Sequence, residues 1–238
     1  MTEPRVTVGI PVGPSADACR WLPEALDSVR AQTVPVRIIV VDDMHGGLLV
    51  HDHNHEMGKY GKDVFFEHQY VYYAPWNLGV AQAFNHCVAL APTDLVFMMG
   101  ADDTLEPECI ERCLEAFDRE IVDQELGYYW VPIRYMDTGE VQGLPCNAAM
   151  VHKNMWKATG GFPPETASGA PDAAFISRII GTPGFPAHLV QVGNVPLYNY
   201  RRHDATDTAG RQPWQGVILT TRDILTKRWQ KPEWGRYD

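Results

Sequence analysis

The sequence predicts a single-domain α/β fold in which helices cover both faces of a mostly parallel central sheet. Strand patterns alternate with amphipathic helix patterns along the first half of the chain, and the connections between them are short. The strand patterns are continuous β-branched runs, as in a sheet that is covered on both faces. No linker rich in Pro, Gly or Ser divides the 238 residues, a length that one domain accommodates.

The elements of the first half follow from apolar periodicity and from the turn residues between them. Each strand is a β-branched or aromatic run, and each helix repeats apolar residues every three or four positions. Proline or glycine follows several of these runs and predicts where they end. The predicted elements are a strand Val6–Val12, a helix Trp21–Ala31, a strand Arg37–Val41, a strand Val64–Tyr73, a helix Gly79–Leu90, a strand Leu95–Met99 and a helix that begins near Pro107.

The second half has shorter and less regular elements. Its strands carry several aromatic residues, and its helices are interrupted by glycine and proline. The predicted elements are a strand Gly127–Tyr135, a strand Asn147–His152, a helix Lys153–Ala158, a helix from Pro171 to about Ile180, strands Val190–Val192 and Pro196–Tyr200, and a last helix Val217–Trp229.

The composition excludes several classes of protein. Twenty Lys and Arg against thirty Asp and Glu give a formal net charge of −10, which disfavours a main affinity for nucleic-acid backbones. No apolar run approaches the roughly 18 residues that span a bilayer, and the N-terminus lacks the apolar core of a signal peptide. The five cysteines are odd in number and show no paired zinc spacing. We therefore expect a cytoplasmic protein with free thiols and no transmembrane segment.

Two of the predicted strands end in a pair of aspartates, Asp42-Asp43 and Asp102-Asp103. Ligands of open α/β sheets bind at the carboxyl ends of parallel strands, so these side chains are candidates for one site. Either pair alone could instead cap the helix that follows it. Four carboxylates in one crevice repel one another unless a cation lies among them. A divalent metal ion that carries a diphosphate would relieve this repulsion.

Six groups of motifs occur in a fixed order between residues 6 and 206. They are Val6–Pro11; Ser28–Thr33 (SVRAQT) with Ile38–Asp43; Asn77-Leu78-Gly79 with Ala83-Phe84-Asn85; Phe97–Asp103; Gly160-Gly161-Phe162 with Asp172 and Arg178; and Tyr200–His203 with Thr206. This order resembles that of the family 2 glycosyltransferases, which are inverting, metal-dependent enzymes with the GT-A fold. The resemblance implies a Rossmann-like GT-A domain that transfers a hexose from a nucleotide-diphosphate sugar, most simply a UDP-sugar, to an acceptor hydroxyl.

The resemblance also implies roles for individual residues of this chain. A carboxylate suits the imide N–H of uracil, and an arginine is a suitable clamp for a diphosphate. The residues placed against the donor are Pro11, Val12, Asp42, Asp43, Asn77, Gly79, Asp102, Arg201 and Arg202. Residues 1–104 would then form the nucleotide-binding half and residues 105–216 the acceptor and catalytic half. Residues 217–238 would form a C-terminal helix and a tail with basic and aromatic residues.

The metal site and the general base follow from the same resemblance. Asp102, Asp103 and His203 are the candidate ligands of Mn²⁺ or Mg²⁺, because hard oxygen ligands suit both ions and imidazole suits Mn²⁺. Asp172 is the candidate base that removes the proton of the acceptor hydroxyl. His203 could instead be a solvated loop histidine, and Asp172 a plain helix N-cap. Arg178 is expected to be a structural partner.

Two departures from the family pattern leave alternatives open. Gly100 stands where the family usually has an acid, and Phe84 stands where many members have a basic residue. Either departure could mean an altered choice of donor, and both together favour a catalytically weak or silent nucleotide-sugar-binding module. A nucleotidyltransferase is disfavoured, because residues 13–17 contain one glycine and no lysine.

The acceptor and the oligomeric state are not predicted. A glycan, a lipid-linked saccharide, a protein and a hydroxylated base of modified DNA are all candidates for the acceptor. The net charge disfavours a nucleic acid, whereas the interleaved basic and aromatic residues of the tail keep it open. His51, His53 and His55 favour a solvated insertion over a second metal site, because glycines surround them.

Overall fold

The computed structural model describes residues 3–13, 16–43, 69–74, 78–119, 124–163, 171–184 and 188–203. Five helices and eleven strands lie within these ranges. The predicted last helix and tail, the histidine loop, Asn77 and Thr206 lie outside them.

The helices of the described residues are α1 (Ala16–Arg30), α2 (Val80–Leu90), α3 (Cys109–Arg119), α4 (Lys153–Thr159) and α5 (Pro171–Gly181), with a 3₁₀ turn at Gln124–Leu126. The strands are β1 (Val6–Val12), β2 (Val36–Asp42), β3 (Gln69–Tyr73), β4 (Leu95–Met98), β5 (Thr104–Leu105), β6 (Tyr128–Trp130), β7 (Ile133–Tyr135), β8 (Val141–Gln142), β9 (Ala149–His152), β10 (Leu189–Gln191) and β11 (Tyr198–Tyr200). Helix α1 begins five residues before its predicted start, because its first turn carries none of the apolar periodicity that marks the rest.

The central sheet is mostly parallel, as the sequence predicts. Its seven strands run in the order β10-β6-β9-β4-β1-β2-β3, and β1 pairs in parallel with both β2 and β4. Strand β9 is antiparallel to β4 and to β6 and thereby joins the second half of the chain to the first. A second sheet of four strands, in the order β5-β11-β7-β8, packs beside it. The predicted α/β class is confirmed.

The predicted strand Gly127–Tyr135 is wrong in one respect, because two strands occupy it. Strand β6 belongs to the central sheet and β7 to the second sheet, with Val131 and Pro132 between them. Proline cannot donate to a strand ladder, so a break at Pro132 is consistent with its chemistry. Its carbonyl accepts a hydrogen bond from the N–H of Leu197 at 3.2 Å, which helps to hold the crossing chain in place.

Apolar side chains cover the two faces of the central sheet separately. Alternate residues of β1 pack with α1 and α3 on one face, whereas Val96 and Met98 of β4 pack with α2, α4 and α5 on the other. Full burial of both faces explains why the strand patterns are continuously apolar. The carboxyl ends of the parallel strands are therefore the natural place for polar function.

Asn85 of α2 anchors the turn that follows α4. Its side-chain oxygen accepts hydrogen bonds from the indole N–H of Trp156 at 2.8 Å and from the N–H of Phe162 at 2.9 Å. Its amide nitrogen donates to the carbonyl of Phe162 at 2.8 Å. Two of the sequence motifs, Ala-x-Asn and Gly-Gly-Phe, are therefore parts of one structural junction.

Arg178 joins helix α5 to the same turn. Its guanidinium is buried and donates to the carbonyls of Gly160 and Gly161, each at 3.0 Å. A buried cation needs such partners, because an unpaired charge in the interior is costly. Helix α5, with Asp172 in its first turn, is thus fixed against α2 and α4 through one turn. Arg178 acts as the structural partner that the sequence predicts.

Replacing Gly161 by Ala should lower the free energy of unfolding by about 3 kcal/mol. Its φ is +67°, and an added Cβ would lie 2.4 Å from Trp156 Nε1 and 2.6 Å from Asn85 Oδ1. The matched control is Gly139→Ala, because Gly139 has φ +73° with no atom within 4 Å of the added Cβ. That variant should lose only about 1 kcal/mol of backbone strain. Urea unfolding of both measures the difference, and equal losses would contradict the crowding at Gly161.

Candidate active site

The two aspartate pairs lie at the same edge of the central sheet. Strands β2 and β4 flank β1 on either side, and all three run in one direction. The N–H of Asp43 donates to the carbonyl of Val12 at 2.9 Å, so the ends of β1 and β2 stay in register. Residues Gly100–Asp103 follow β4 after one intervening residue, Met99. Pro11 is partly exposed at this edge, whereas the side chain of Val12 is fully buried.

Asp43 holds the backbone at the start of α2. Its carboxylate accepts hydrogen bonds from the N–H groups of Leu78 and Gly79. Burial raises the pKa of Asp43 above its ordinary value, although these two donors act in the opposite direction. Gly79 has φ +76°, a conformation that glycine adopts without strain. Asp42 and Asp43 are both buried, at 0% and 2% exposure, so the two side chains present little surface to a ligand in this conformation.

Asp102 and His203 are in direct contact. Nε2 of His203 lies 2.8 Å from Oδ2 of Asp102, and the two side chains are 13% and 23% exposed. The indole of Trp21 packs against the imidazole with ring centroids 4.3 Å apart. Two residues that the sequence separates by a hundred positions are thus brought together at the end of β4. One carboxylate and one imidazole at contact distance suit a divalent cation of the Mn²⁺ or Mg²⁺ kind.

The fit to a metal ion depends on ligands beyond these two side chains. Among the residues that the structure describes, no group of three or more His, Cys, Asp or Glu side chains could hold a metal ion. A hard cation of this class commonly keeps waters and takes phosphate oxygens as further ligands. Asp102 and His203 therefore fit an ion that is bound together with a diphosphate.

Asp103 points into the protein. Its Oδ1 accepts the backbone N–H of Arg201 at 2.8 Å, and its Oδ2 accepts the hydroxyl of Tyr198. Burial, together with the charge of Asp102, raises the pKa of Asp103 well above its ordinary value. Both carboxylate oxygens are engaged within the fold. The contacts favour a role in shaping the turn over the metal-ligand role that the sequence predicts for this residue.

Gly100 leaves room for this inward arrangement. The hydroxyl of Tyr198 accepts the N–H of Gly100 at 2.9 Å while it donates to Asp103. A Cβ at position 100 would lie 2.6 Å from Oδ2 of Asp103 and 2.7 Å from Oδ1 of Asp102. An acid at this position would therefore require a different placement of both carboxylates. The absence of a side chain at Gly100 is part of the local architecture.

The two arginines after β11 contact protein groups. Arg201 forms an ion pair with Glu24 of α1 at 2.5 Å, and its Nε donates to the carbonyl of Asp102 at 2.8 Å. Arg202 is exposed and forms an ion pair with Asp137 at 2.7 Å. In this conformation both guanidinium groups are engaged by acids of the protein. Their predicted contact with a diphosphate stays a prediction.

Asp172 lies in the first turn of α5 and is partly buried. Burial raises the pKa of its carboxyl group above the ordinary value, although the nearby backbone N–H groups of Ala173 and Asn147 act in the opposite direction. The neighbouring thiol of Cys146 has its pKa raised to about 12 by burial and by the charges of Asp172 and Asp103. The loop of Cys146 leads into β9, whose first residue pairs with the last residue of β4. This loop therefore lies at the same edge of the sheet as the acidic turn after β4.

Tyr198 and Trp21 are site residues that the sequence analysis does not single out. Tyr198 supports Asp103, and Trp21 packs against His203 and under the guanidinium of Arg201, 5.2 Å from the ring centroid. Tyr198 is two residues from Tyr200, so strand alternation could have placed it on the same face. Trp21 lies at the start of the apolar stripe of α1 and could not be told from a core residue.

Comparison with known proteins agrees with this fold. The model of the glycosyl transferase family 2 matches residues 14–131. The structure of TarS 1–349 of S. aureus in complex with UDP-GlcNAc matches this chain with a TM-score of 0.65 at 14% sequence identity. The match covers 88% of this chain and 62% of the TarS chain. The structure of the same protein in complex with UDP matches with a TM-score of 0.62 at 14% sequence identity, and the match covers 84% of this chain and 61% of the TarS chain. No curated protein matches this chain.

A second kind of enzyme shows the same fold. The structure of the mannosyltransferase PcManGT from Pyrobaculum calidifontis in complex with GDP-Man and Mn²⁺ matches this chain with a TM-score of 0.56 at 19% sequence identity. The match covers 84% of this chain and 57% of the mannosyltransferase chain. The chain thus spans about three fifths of these solved chains. In the part of the chain that the structure describes, no helix has the length and apolar character to cross a membrane. Residues 14–131 belong to glycosyl transferase family 2, on the GT-A fold that the described chain shares with these enzymes.

Proposed function

We propose that this chain transfers a sugar from a nucleotide-diphosphate sugar to an acceptor hydroxyl, with inversion at the anomeric carbon. The observation that supports it most is the meeting of two features at one sheet edge. Asp102 and His203 pair just after β4, and the loop of Cys146 lies at the same end of that strand. Tyr128 links this loop to α5, whose first turn carries Asp172. The Asp102–His203 pair suits a cation-bound diphosphate, and Asp172 suits the role of general base. A UDP-sugar is the first choice of donor, and residues 1–104 form the proposed nucleotide-binding half.

Asp102 and His203 are the proposed ligands of Mn²⁺ or Mg²⁺. When bound there, the ion would offset the negative charge that builds on the departing diphosphate. The UDP-GlcNAc named with TarS, and the GDP-Man and Mn²⁺ named with the mannosyltransferase, support this class of donor and ion. Asp103 is left out of the ligand set, because Tyr198 and the N–H of Arg201 occupy its oxygens.

Asp172 is the proposed general base. Its ionised carboxylate takes the proton of the acceptor hydroxyl while that oxygen forms a bond to the anomeric carbon. The bond between the anomeric carbon and the diphosphate oxygen breaks, and the diphosphate leaves with the electron pair. Because burial raises the pKa of Asp172, the ionised base is lost at a higher pH than for an exposed aspartate. Activity should therefore fall as the pH drops through that raised value.

A silent nucleotide-sugar-binding module is the second candidate. Gly100 favours it, because the family usually has an acid at this position. A glycan, a lipid-linked saccharide, a protein or a hydroxylated nucleobase remains the proposed range of acceptors.

Donor binding and donor hydrolysis test the proposal and separate the two candidates. The purified chain is mixed with each common nucleotide-diphosphate sugar, with Mn²⁺ or with EDTA, and both the melting temperature and the released nucleoside diphosphate are measured. We expect a Mn²⁺-dependent rise in melting temperature with one donor and slow release of its nucleoside diphosphate. A rise without release would favour the silent module. No rise and no release with any donor would contradict both.

A further inference from the structure

Trp21 of helix α1 packs against two residues that hold Asp102. Its indole lies against the imidazole of His203, with ring centroids 4.3 Å apart and ring planes tilted by 43°. The guanidinium of Arg201 lies over the same indole, 5.2 Å from the ring centroid. Nε2 of His203 lies 2.8 Å from the carboxylate of Asp102, and Nε of Arg201 donates to the backbone carbonyl of Asp102 at 2.8 Å. One side chain of α1 therefore contacts both of these partners of the proposed metal ligand.

Glu24 adds a second contact from the same face of α1. It follows Trp21 by three residues, so the two side chains lie about one helical turn apart on one face. Its carboxylate forms an ion pair with Arg201 at 2.5 Å, but the Glu24 side chain is 57% exposed, and exposed ion pairs contribute little. Glu24 acts on Arg201, whereas the ring of Trp21 also reaches His203. Trp21 is therefore placed to orient the imidazole from α1.

His203 needs such support because of its place in the chain. It lies three residues beyond the end of β11, whose last ladder pair is formed by Tyr200. The imidazole can rotate about two side-chain bonds, and a rotation about either bond moves Nε2 relative to Asp102. Aromatic rings at about the separation of Trp21 and His203 attract one another and so restrict this rotation. Groups that orient a metal ligand typically change metal affinity by about ten- to a hundredfold when they are removed.

We propose that Trp21 is a positioning residue for His203: its indole holds the imidazole so that Nε2 faces the carboxylate of Asp102. This inference rests on the proposed function for the role of His203 as a metal ligand. Trp21 touches neither the ion nor the donor in this account, and its effect on metal binding passes through the imidazole. The role requires an aromatic ring at position 21, whereas a residue that only fills the core can be exchanged for another apolar side chain of similar size.

Two substitutions at position 21 separate this role from core packing. Trp21→Phe keeps an aromatic ring, whereas Trp21→Leu keeps an apolar side chain without a ring. Both make the side chain smaller, so both should lower the melting temperature. Trp156→Leu is the matched control, because Trp156 is also partly buried but packs on the other face of the central sheet, where its indole N–H donates to Asn85 at 2.8 Å. It removes one indole from the fold and leaves the contacts of Trp21 in place.

Two readouts carry the test. The first is the affinity for Mn²⁺ in the presence of UDP, measured by paramagnetic resonance of the free ion. We expect Trp21→Leu to lower it about tenfold, Trp21→Phe to stay within about threefold of the wild type, and Trp156→Leu to match the wild type. The second is NMR of the metal-free protein, in which nuclear Overhauser cross peaks join the imidazole protons of His203 to the methylene protons of Asp102. These cross peaks should weaken in Trp21→Leu and persist in the other two variants.

The NMR readout needs neither metal nor turnover, so the two proposals fail in different ways. If the wild type binds no Mn²⁺ with UDP or with any other nucleoside diphosphate, the proposed metal site is contradicted, whereas the cross peaks still test the role of Trp21. Equal losses in Trp21→Leu and Trp21→Phe, a loss as large in Trp156→Leu, or cross peaks of equal strength in all four proteins would overturn the positioning role. If Trp21→Leu does not fold, cross peaks between the indole and the imidazole of the wild type decide, since their presence supports the role and their absence overturns it.

Discussion

Replacing Asp172 by Asn should lower kcat by about a thousandfold and leave donor binding unchanged. Asparagine keeps the shape of the side chain and its place in the first turn of α5, but it cannot accept the proton of the acceptor hydroxyl. The loss should therefore appear in kcat and not in the affinity for the donor. Steady-state transfer rates at saturating donor, with calorimetric titration of the nucleotide, measure the two quantities separately.

A second aspartate of the same sheet provides the control. Asp94 is exposed and immediately precedes β4, at the sheet edge opposite to the proposed site. Asp94→Asn should keep the wild-type kcat. Wild-type turnover in Asp172→Asn would contradict the assignment of the base, and equal losses in the two variants would point to a general effect of lost charge.

Replacing Asp102 by Asn should weaken the binding of Mn²⁺ together with a nucleoside diphosphate by at least about a hundredfold. The substitution removes one charge and one strong ligand from the pair that Asp102 forms with His203. Nucleotide alone, in EDTA, should bind both proteins equally. Paramagnetic resonance of free Mn²⁺ and calorimetry of the nucleotide give the two affinities directly.

Asp103→Asn is the informative companion to that variant. Its carboxylate faces Tyr198 and the N–H of Arg201, so both of its oxygens are engaged within the fold. We therefore expect Mn²⁺ affinity to fall by about tenfold or less, through a small shift of the turn. Equal losses in Asp102→Asn and Asp103→Asn would restore Asp103 to the ligand set.

The parallel part of the fold could be predicted closely from the sequence. The predicted bounds of β1 agree with the structure, and those of β2 and β4 differ by one residue at one or both ends. Long β-branched runs that are closed by Pro, Gly or Asp leave little choice of element or boundary. The second half was less predictable. The residues of β6 and β7 form one continuous strand pattern in the sequence, whereas in the structure the chain breaks at Pro132 and the two strands belong to different sheets.

The candidate site was predictable in place but not in detail. The topology brings residues at the ends of β2 and β4 to one edge, so Asp42, Asp43 and Asp102 could be placed there in advance. The orientation of each carboxylate depends on hydrogen-bond partners that are distant in the sequence. Leu78 engages Asp43, and Tyr198 engages Asp103. No periodicity or spacing in the sequence reports contacts of this kind, so side-chain direction had to come from the structure.

The most direct test of the account is a crystal structure of the chain with UDP and Mn²⁺. We expect Asp102 and His203 both to ligate the manganese ion beside the diphosphate. Asp103 should stay hydrogen-bonded to Tyr198, and Asp172 should face the open position next to the diphosphate that the sugar of a donor would occupy. A nucleotide that binds elsewhere, or a manganese ion without Asp102 among its ligands, would contradict it.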